Sequence, residues 1–277
     1  MNKQELFNQI KKKKSYLCIG LDTDQEKLPA HLKNREDSVL QFNKAIINHT
    51  HQTCVAYKIN TAFYEAQGIK GWKFLQDTAE YIKANYPEIF LIADAKRGDI
   101  GNTSKMYAKA FFEKMPFDAV TVAPYMGKDS ITPFLEFKDK WVIVLGVTSN
   151  QGAFDFQFLQ SKMQHKAFYE HVIETASSWG DAENMMFVVG ATKEEQIAEI
   201  RQKIPGHFLL VPGIGAQGGS LEKVSSQGMN ASCGLLINSS RSIIFSDSSE
   251  RFAESAKNQA ETLQQEMELQ LAQHNIL

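Results

Sequence analysis

The sequence predicts an α/β protein folded as a (β/α)8 barrel, the TIM-barrel class. Three observations predict it: eight short apolar runs recur along the chain, stretches of helical periodicity lie between most of them, and no Gly-x-Gly-x-x-Gly follows the first run. Short, continuous apolar runs are the pattern of strands buried on both faces, and strands alternating with helices build parallel sheets. A doubly wound open sheet is the competing class, disfavoured by eight units without that glycine fingerprint. The chain has 277 residues, 43% hydrophobic and 22% charged, which suits one barrel of the usual length. No linker or repeat divides it, so residues 1–277 are expected to form a single domain.

Taken in order, residues 1–15 predict a first helix holding Leu6, Phe7 and Ile10 against the barrel, with Lys11 to Lys14 as its solvated end. No apolar stretch flanks those lysines as in a signal peptide, and no run has the length of a membrane span. Strands are predicted at 16–21, 54–59, 89–93, 119–123, 141–147, 185–189, 207–211 and 233–237. Helical periodicity marks 39–50, 71–85, 104–114 and 193–203, the last opened by a capping box from Thr192 to Glu195. The connection at about 150–184 is longer than the others and reads as an insertion. It holds an aromatic-rich 154–158 and a helix over 162–178. Long loops at strand C-termini of a barrel are active-site walls or lids. Residues 249–273 read as a closing amphipathic helix.

A formal net charge of -2 argues against nucleic-acid or membrane partners, so any substrate charge has to be met locally. Cys18, Cys54 and Cys233 are odd in number and sit inside apolar runs without metal-ligand spacing. They read as reduced core residues of a cytoplasmic protein.

In a barrel the C-terminal strand ends build the site. The run 89–93 leads into Asp94 and Lys96, and strand alternation sends side chains two apart to one side. Gly98 then breaks the strand and Asp99 follows. Charge at a buried strand end is costly unless paired, so this acid, base and acid are expected to pack together as a functional cluster. Other runs end in Asp22, in Lys58-Ile59-Asn60, in Thr148-Ser149-Asn150, and in Asn238-Ser239-Ser240-Arg241. Alone, each reads as a cap, a bend or a surface pair; at one end of one barrel they converge. The run after the seventh strand, Pro212-Gly213-Ile214-Gly215-Ala216-Gln217-Gly218-Gly219, offers close backbone approach and an anion nest. With the guanidinium fork of Arg241 beside it, it reads as a phosphate site.

The stretch Asp94-Ala95-Lys96-Arg97-Gly98-Asp99-Ile100-Gly101-Asn102-Thr103 resembles the Asp-x-Lys-x-x-Asp-Ile-Gly-Asn-Thr motif of the orotidine 5'-phosphate decarboxylase family. Its Ala-Lys-Arg-Gly centre resembles the longer bacterial branch, which Asn60 and the long fifth connection also fit. The resemblance spans Asp22 to Arg241. It implies that Lys58, Asp94, Lys96 and Asp99 form an alternating charge array, that Asp22 holds the ribose hydroxyls, and that Ser149 lies beside the pyrimidine. It implies further that Gln217 and Arg241 bind the phosphate, and that Asp99 and Thr103 reach into the partner's site of a homodimer. Ser240 stands where many members have glycine, a departure at one backbone phosphate contact. Asn150 receives no role.

The implied reaction is cofactor-free and metal-free decarboxylation of orotidine 5'-monophosphate to uridine 5'-monophosphate and CO2, the last step of de novo pyrimidine biosynthesis. It would leave an electron pair at C6 that the ring cannot delocalise. Lys96, whose ammonium form the flanking carboxylates favour, would supply the proton. Sugar-phosphate relatives, the 3-keto-gulonate-phosphate decarboxylases and hexulose-phosphate synthases, share the barrel and the Asp-x-Lys-x-x-Asp pattern. They hold Mg2+ with a carboxylate where this chain has Lys58, a cation that repels the metal. A non-catalytic nucleotide-phosphate sensor would need no such charge array.

Overall fold

The apolar runs close on one another. In the computed structural model, which describes residues 1–161, 166–190, 194–213 and 220–277, eight parallel strands pair in chain order and the eighth returns to the first. They are β1 (Leu17–Gly20), β2 (Ala56–Asn60), β3 (Phe90–Arg97), β4 (Ala119–Val122), β5 (Trp141–Val147), β6 (Met185–Val189), β7 (Phe208–Pro212) and β8 (Leu235–Ser239). Closure leaves no unpaired edge, which suits strands so apolar that an exposed edge would aggregate. The (β/α)8 class expected from the sequence is the one observed.

Helix α1 (Lys3–Lys13) precedes the barrel. Its first turn is fixed by a reciprocal cap: the Asn2 side chain accepts from the Glu5 amide at 2.9 Å, and Glu5 Oε2 from the Asn2 amide at 2.8 Å. At the end of this helix Lys11, Lys12 and Lys14 are exposed as expected, and Lys13 is the exception. Lys13 is half-buried, because its Nζ donates to the carbonyls of His51 at 2.7 Å and Cys54 at 3.0 Å. Helices α2 (Ala30–Lys33) and α3 (Ser38–Thr50) lead to β2, and α4 (Ala62–Glu65) and α5 (Gly68–Asn85) to β3. Then come α6 (Gly101–Phe112), α7 (Lys128–Leu135), and α8 (Ala153–Phe156) with α9 (Phe168–Ser177) between β5 and β6. Helices α10 (Glu194–Lys203), α11 (Leu221–Gly228), α12 (Arg241–Ile244) and α13 (Phe252–Gln273) complete the ring. No helix among the described residues is long and apolar enough to cross a membrane.

Most boundaries move by one to three residues from the predicted ones. The insertion helix expected over 162–178 is observed as α9 from Phe168; residues 162–165 lie outside the described residues, as does Thr192 of the expected capping box. The insertion is tied down at both ends. Lys203 of α10 reaches Glu174 at 2.5 Å and Glu170 at 3.3 Å, and Lys166 reaches Glu174 at 2.9 Å. At the other end the Gln157 amide clamps Thr148, accepting from its N–H and donating to its hydroxyl, each at 2.8 Å. The Thr148 hydroxyl in turn donates to Asn150 Oδ1 at 2.6 Å, which gives Asn150 a structural part in the turn.

Candidate active site

Register sets the depth of each charged group. Lys58 of β2 lies opposite Ile92 of β3, and Asn60 opposite Asp94. The Lys58 backbone is thus two residues, roughly 6–7 Å, below that of Asp94. Its long stem climbs the barrel interior, so that Nζ meets Asp94 Oδ2 at 3.0 Å and Asp22 Oδ1, just beyond β1, at 3.4 Å. Lys58 is 5% exposed and Asp94 9%. Burial alone would drive the Lys58 ammonium toward neutrality, but Asp94 and Asp22 outweigh it and hold its pKa above the usual lysine range. Burial would likewise raise the Asp94 carboxyl, yet Lys58 and Lys96 bring it down to about 2. The pair is therefore ionised at neutral pH, each charge compensating the other.

Lys96 completes the cluster by a route that alternation did not foresee. Between Ala93 and Arg97 the register on β4 advances only from Val120 to Val122, so β3 carries a bulge. Lys96 sits in it with φ +46°, a left-handed conformation costing a side-chain-bearing residue about 1–2 kcal/mol. The bulge, rather than regular period-two geometry, aims Nζ at Asp94 Oδ1, 2.6 Å away. Beyond it Arg97 anchors the strand end, pairing with Glu65 and lying over the rings of Tyr107 and Phe111. The Lys96 side chain remains 48% exposed, with ammonium hydrogens to spare.

One member of the cluster carries no signal in the sequence. Thr121 of β4 is fully buried; its Oγ1 accepts from the Lys96 amide at 2.9 Å and donates to Asp94 Oδ1 at 3.0 Å. In Ala-Val-Thr-Val a threonine reads as an ordinary strand former. Only its place in the strand after Asp-x-Lys could have raised it.

The expectation that Asp99 packs with Asp94 and Lys96 is corrected within this chain. Its Oδ1 accepts from the Ile100 amide at 2.7 Å, and its carbonyl accepts from Ser104, so the residue forms the turn into α6. Thr103 lies exposed in the first turn of that helix. Asn60 Oδ1 accepts from the Ala62 amide at 3.2 Å at the mouth of β2. Ser149 is half-buried just after β5, where Gly190 lets the chain pass: a Cβ at 190 would stand 2.6 Å from the Ser149 nitrogen. Arg241 is exposed at the start of α12. Ser240 before it fits against Gly20, where a Cβ would fall 1.8 Å from the serine hydroxyl oxygen. Gln217 and the glycine-rich loop at 214–219 lie outside the described residues.

A cavity of about 840 Å³ opens nearby, between the loop after β4 and the β5–β6 connection, with Pro124, Tyr125, Leu145, Phe156 and Tyr169 among its walls. Lys58, Asp94 and Lys96 do not line it. The ionised groups converge instead at the barrel mouth.

The chain matches the family model described as orotidine 5'-phosphate decarboxylase / HUMPS family over residues 15–256. It is 60% identical over 271 residues to the orotidine 5'-phosphate decarboxylase of Christiangramia forsetii, covering 98% of this chain and 99% of that one. It is 57% identical over 268 residues to that of Phocaeicola vulgatus, covering 97% and 98%. Among solved structures, Leishmania donovani OMP decarboxylase superposes with a TM-score of 0.80 at 35% identity, covering 97% of this chain and 99% of that one. The orotidine 5'-monophosphate decarboxylase of Plasmodium berghei gives 0.78 at 28%, covering 96% and 99%. With a charge array at the mouth of a closed barrel and likeness along nearly its whole length, this chain belongs to the orotidine 5'-phosphate decarboxylase / HUMPS family.

Proposed function

We propose that this chain decarboxylates orotidine 5'-monophosphate to uridine 5'-monophosphate and CO2, with Lys96 as the proton donor to C6. The observation that carries the reading is the Lys58–Asp94–Lys96 array, two buried charges presenting a third that is half-open. As CO2 leaves, negative charge develops at C6. An ammonium already fixed by Asp94 can stabilise that charge without reorganising and then transfer a proton. Lys58 holds Asp94 in place and, with Asp22 and Asn60, faces the ribose. Ser149 takes the pyrimidine edge, and Gln217 and Arg241 take the phosphate, whose binding energy fixes a ring remote from it.

Asp99 and Thr103 serve the site of a second copy. Supporting this, Asp99 is engaged by its own turn rather than by Lys96. Exposed apolar residues also lie along the same stretch and the loop after β4: Ile100, Met106, Tyr125 and Met126. The three cysteines are buried and unpaired, which suits a reducing, cytoplasmic compartment. We read residues 1–277 as a single barrel domain with the 150–184 connection inserted into it. Against the Mg2+-dependent sugar-phosphate chemistry of the wider family stands Lys58, a buried cation within β2 where a metal would need a carboxylate.

A steady-state assay with orotidine 5'-monophosphate under EDTA, followed by ultraviolet absorbance, tests both halves of the reading. Conversion under chelation is expected. No conversion, with turnover of a keto-sugar phosphate once Mg2+ is supplied, would move the assignment to those relatives.

A further inference from the structure

We propose that Thr121 is a positioning residue for this reaction, its hydroxyl a strut that sets both the Asp94 carboxylate and the backbone of Lys96; as a statement about catalysis, this rests on the function proposed above. The polarity of the strut follows from its partners. The Lys96 amide, 2.9 Å from Oγ1, can only donate, so the threonine oxygen accepts there. A hydroxyl has one hydrogen, and Asp94, held ionised by two lysines, can only accept. The hydrogen therefore points at Asp94 Oδ1, 3.0 Å away. Both hydrogen bonds are fixed in direction, and Thr121 has no exposed surface through which water could replace either partner.

The need for a strut comes from the bulge in β3. Lys96 is held at φ +46°, where its amide has left the regular ladder: β3 and β4 pair at Ala93 and again only at Arg97. A strained residue persists only where its surroundings over-determine it. Here Arg97 pins the chain on one side, and the Thr121 hydroxyl takes the freed amide on the other. The same oxygen fixes Asp94 Oδ1, the atom that Lys96 Nζ grips at 2.6 Å. One side chain thus sets the root and the tip of the proton-donating lysine relative to each other.

The test compares Thr121→Val, which keeps the shape and removes the hydroxyl, with Thr121→Ser, which keeps the hydroxyl. Misplacement of a reacting group by a fraction of an ångström lowers kcat, so Thr121→Val is expected to lose about 100-fold in kcat. Its KM, and its Kd for uridine 5'-monophosphate, should stay within about threefold, because no contact with the bound nucleotide is removed. Thr121→Ser should recover most of the lost kcat. A valine variant within about threefold of the parent in kcat, or a serine variant as impaired as the valine one, would overturn the proposal. Hydrogen exchange at the Lys96 amide reads the strut without any substrate: it should accelerate at least about tenfold in Thr121→Val and little in Thr121→Ser. If the parent chain failed to turn over orotidine 5'-monophosphate, the decarboxylase reading would fall alone. Amide exchange would still uphold the strut, or overturn it if the rate were unchanged in the valine variant.

Discussion

Buried charge occurs at both ends of this barrel, and the two ends treat it differently. At the floor, where the strands begin, Arg201 donates to the carbonyls of Gly228 at 2.7 Å, Ile204 at 3.0 Å, His207 at 2.6 Å and Gly234 at 2.9 Å. Its guanidinium, 8% exposed, stitches the ends of α10 and α11 to the starts of β7 and β8. Below β3 and β4, Asp118 accepts from the Leu91 amide at 2.8 Å and pairs with Lys83 at 2.5 Å. At the mouth the charges bind one another instead, and Lys96 is left with hydrogens to give. Floor charges are used up in holding the chain; mouth charges are held by the chain so that one of them stays usable. Buried ionic groups therefore do not signal function by burial alone. The distinguishing mark is an unspent donor beside a fully compensated pair.

The contrast can be broken most severely at Lys96. Lys96→Ala should reduce turnover at least about a thousandfold at a smaller stability cost than loss of a floor charge, since the side chain is half-exposed and Asp94 keeps Lys58 and Thr121 as partners. Steady-state kinetics with a parallel thermal melt measures both, and a large stability loss would place Lys96 among the holding charges. Arg201→Met should do the converse. It leaves several buried carbonyls without donors and is expected to cost about 3 kcal/mol in stability, read by denaturant unfolding, with kcat of the folded protein unchanged.

A smaller effect sharpens the comparison through pH. His207, at the start of β7, has both ring nitrogens buried without a partner and lies edge-on to Phe187. Burial first, then Lys3 and Arg201 and against the weaker pull of Asp181, depresses its pKa from 6.5 to about 4. The unfolded chain therefore takes up a proton that the folded chain refuses. Stability present above pH 6.5 should be lost as the pH falls toward 4 and level off below it, by about 2 kcal/mol after allowance for partial exposure. His207→Leu should flatten that limb of the pH–stability profile. Asp94 at the mouth should not respond in the same window, because its carboxyl titrates only near 2.

The sequence carries these features unevenly, for physical reasons. Strands β5 and β6 coincide with their apolar runs because nothing polar interrupts them. Strand β3 runs four residues past its apolar stretch, since a strand that ends in a site stays paired while its residues turn polar. The meeting of Asp94 with Lys96 was legible in the motif, but the bulge that achieves it was not: a left-handed lysine carries no mark of the kind glycine gives. Thr121 was silent because hydroxyl and methyl look alike to a strand pattern. Asn150, without a role in the sequence, acquires one only when Gln157 folds back onto Thr148. Asp99 reads as a neighbour of Lys96 along the chain, yet the turn into α6 takes its carboxylate elsewhere.

The contact between Gly20 and Ser240 has a consequence for how this barrel can change over generations. Residue 20 accepts a methyl group only after residue 240 has given up its hydroxymethyl, because the two would otherwise occupy the same space. Substitutions at the two positions are therefore ordered: alanine at 20 is closed to this chain until glycine stands at 240, and once alanine is there, serine at 240 is closed in turn. Residues more than two hundred positions apart are thus coupled beside Arg241. Both orders of change therefore pass through a chain with glycine at 20 and at 240.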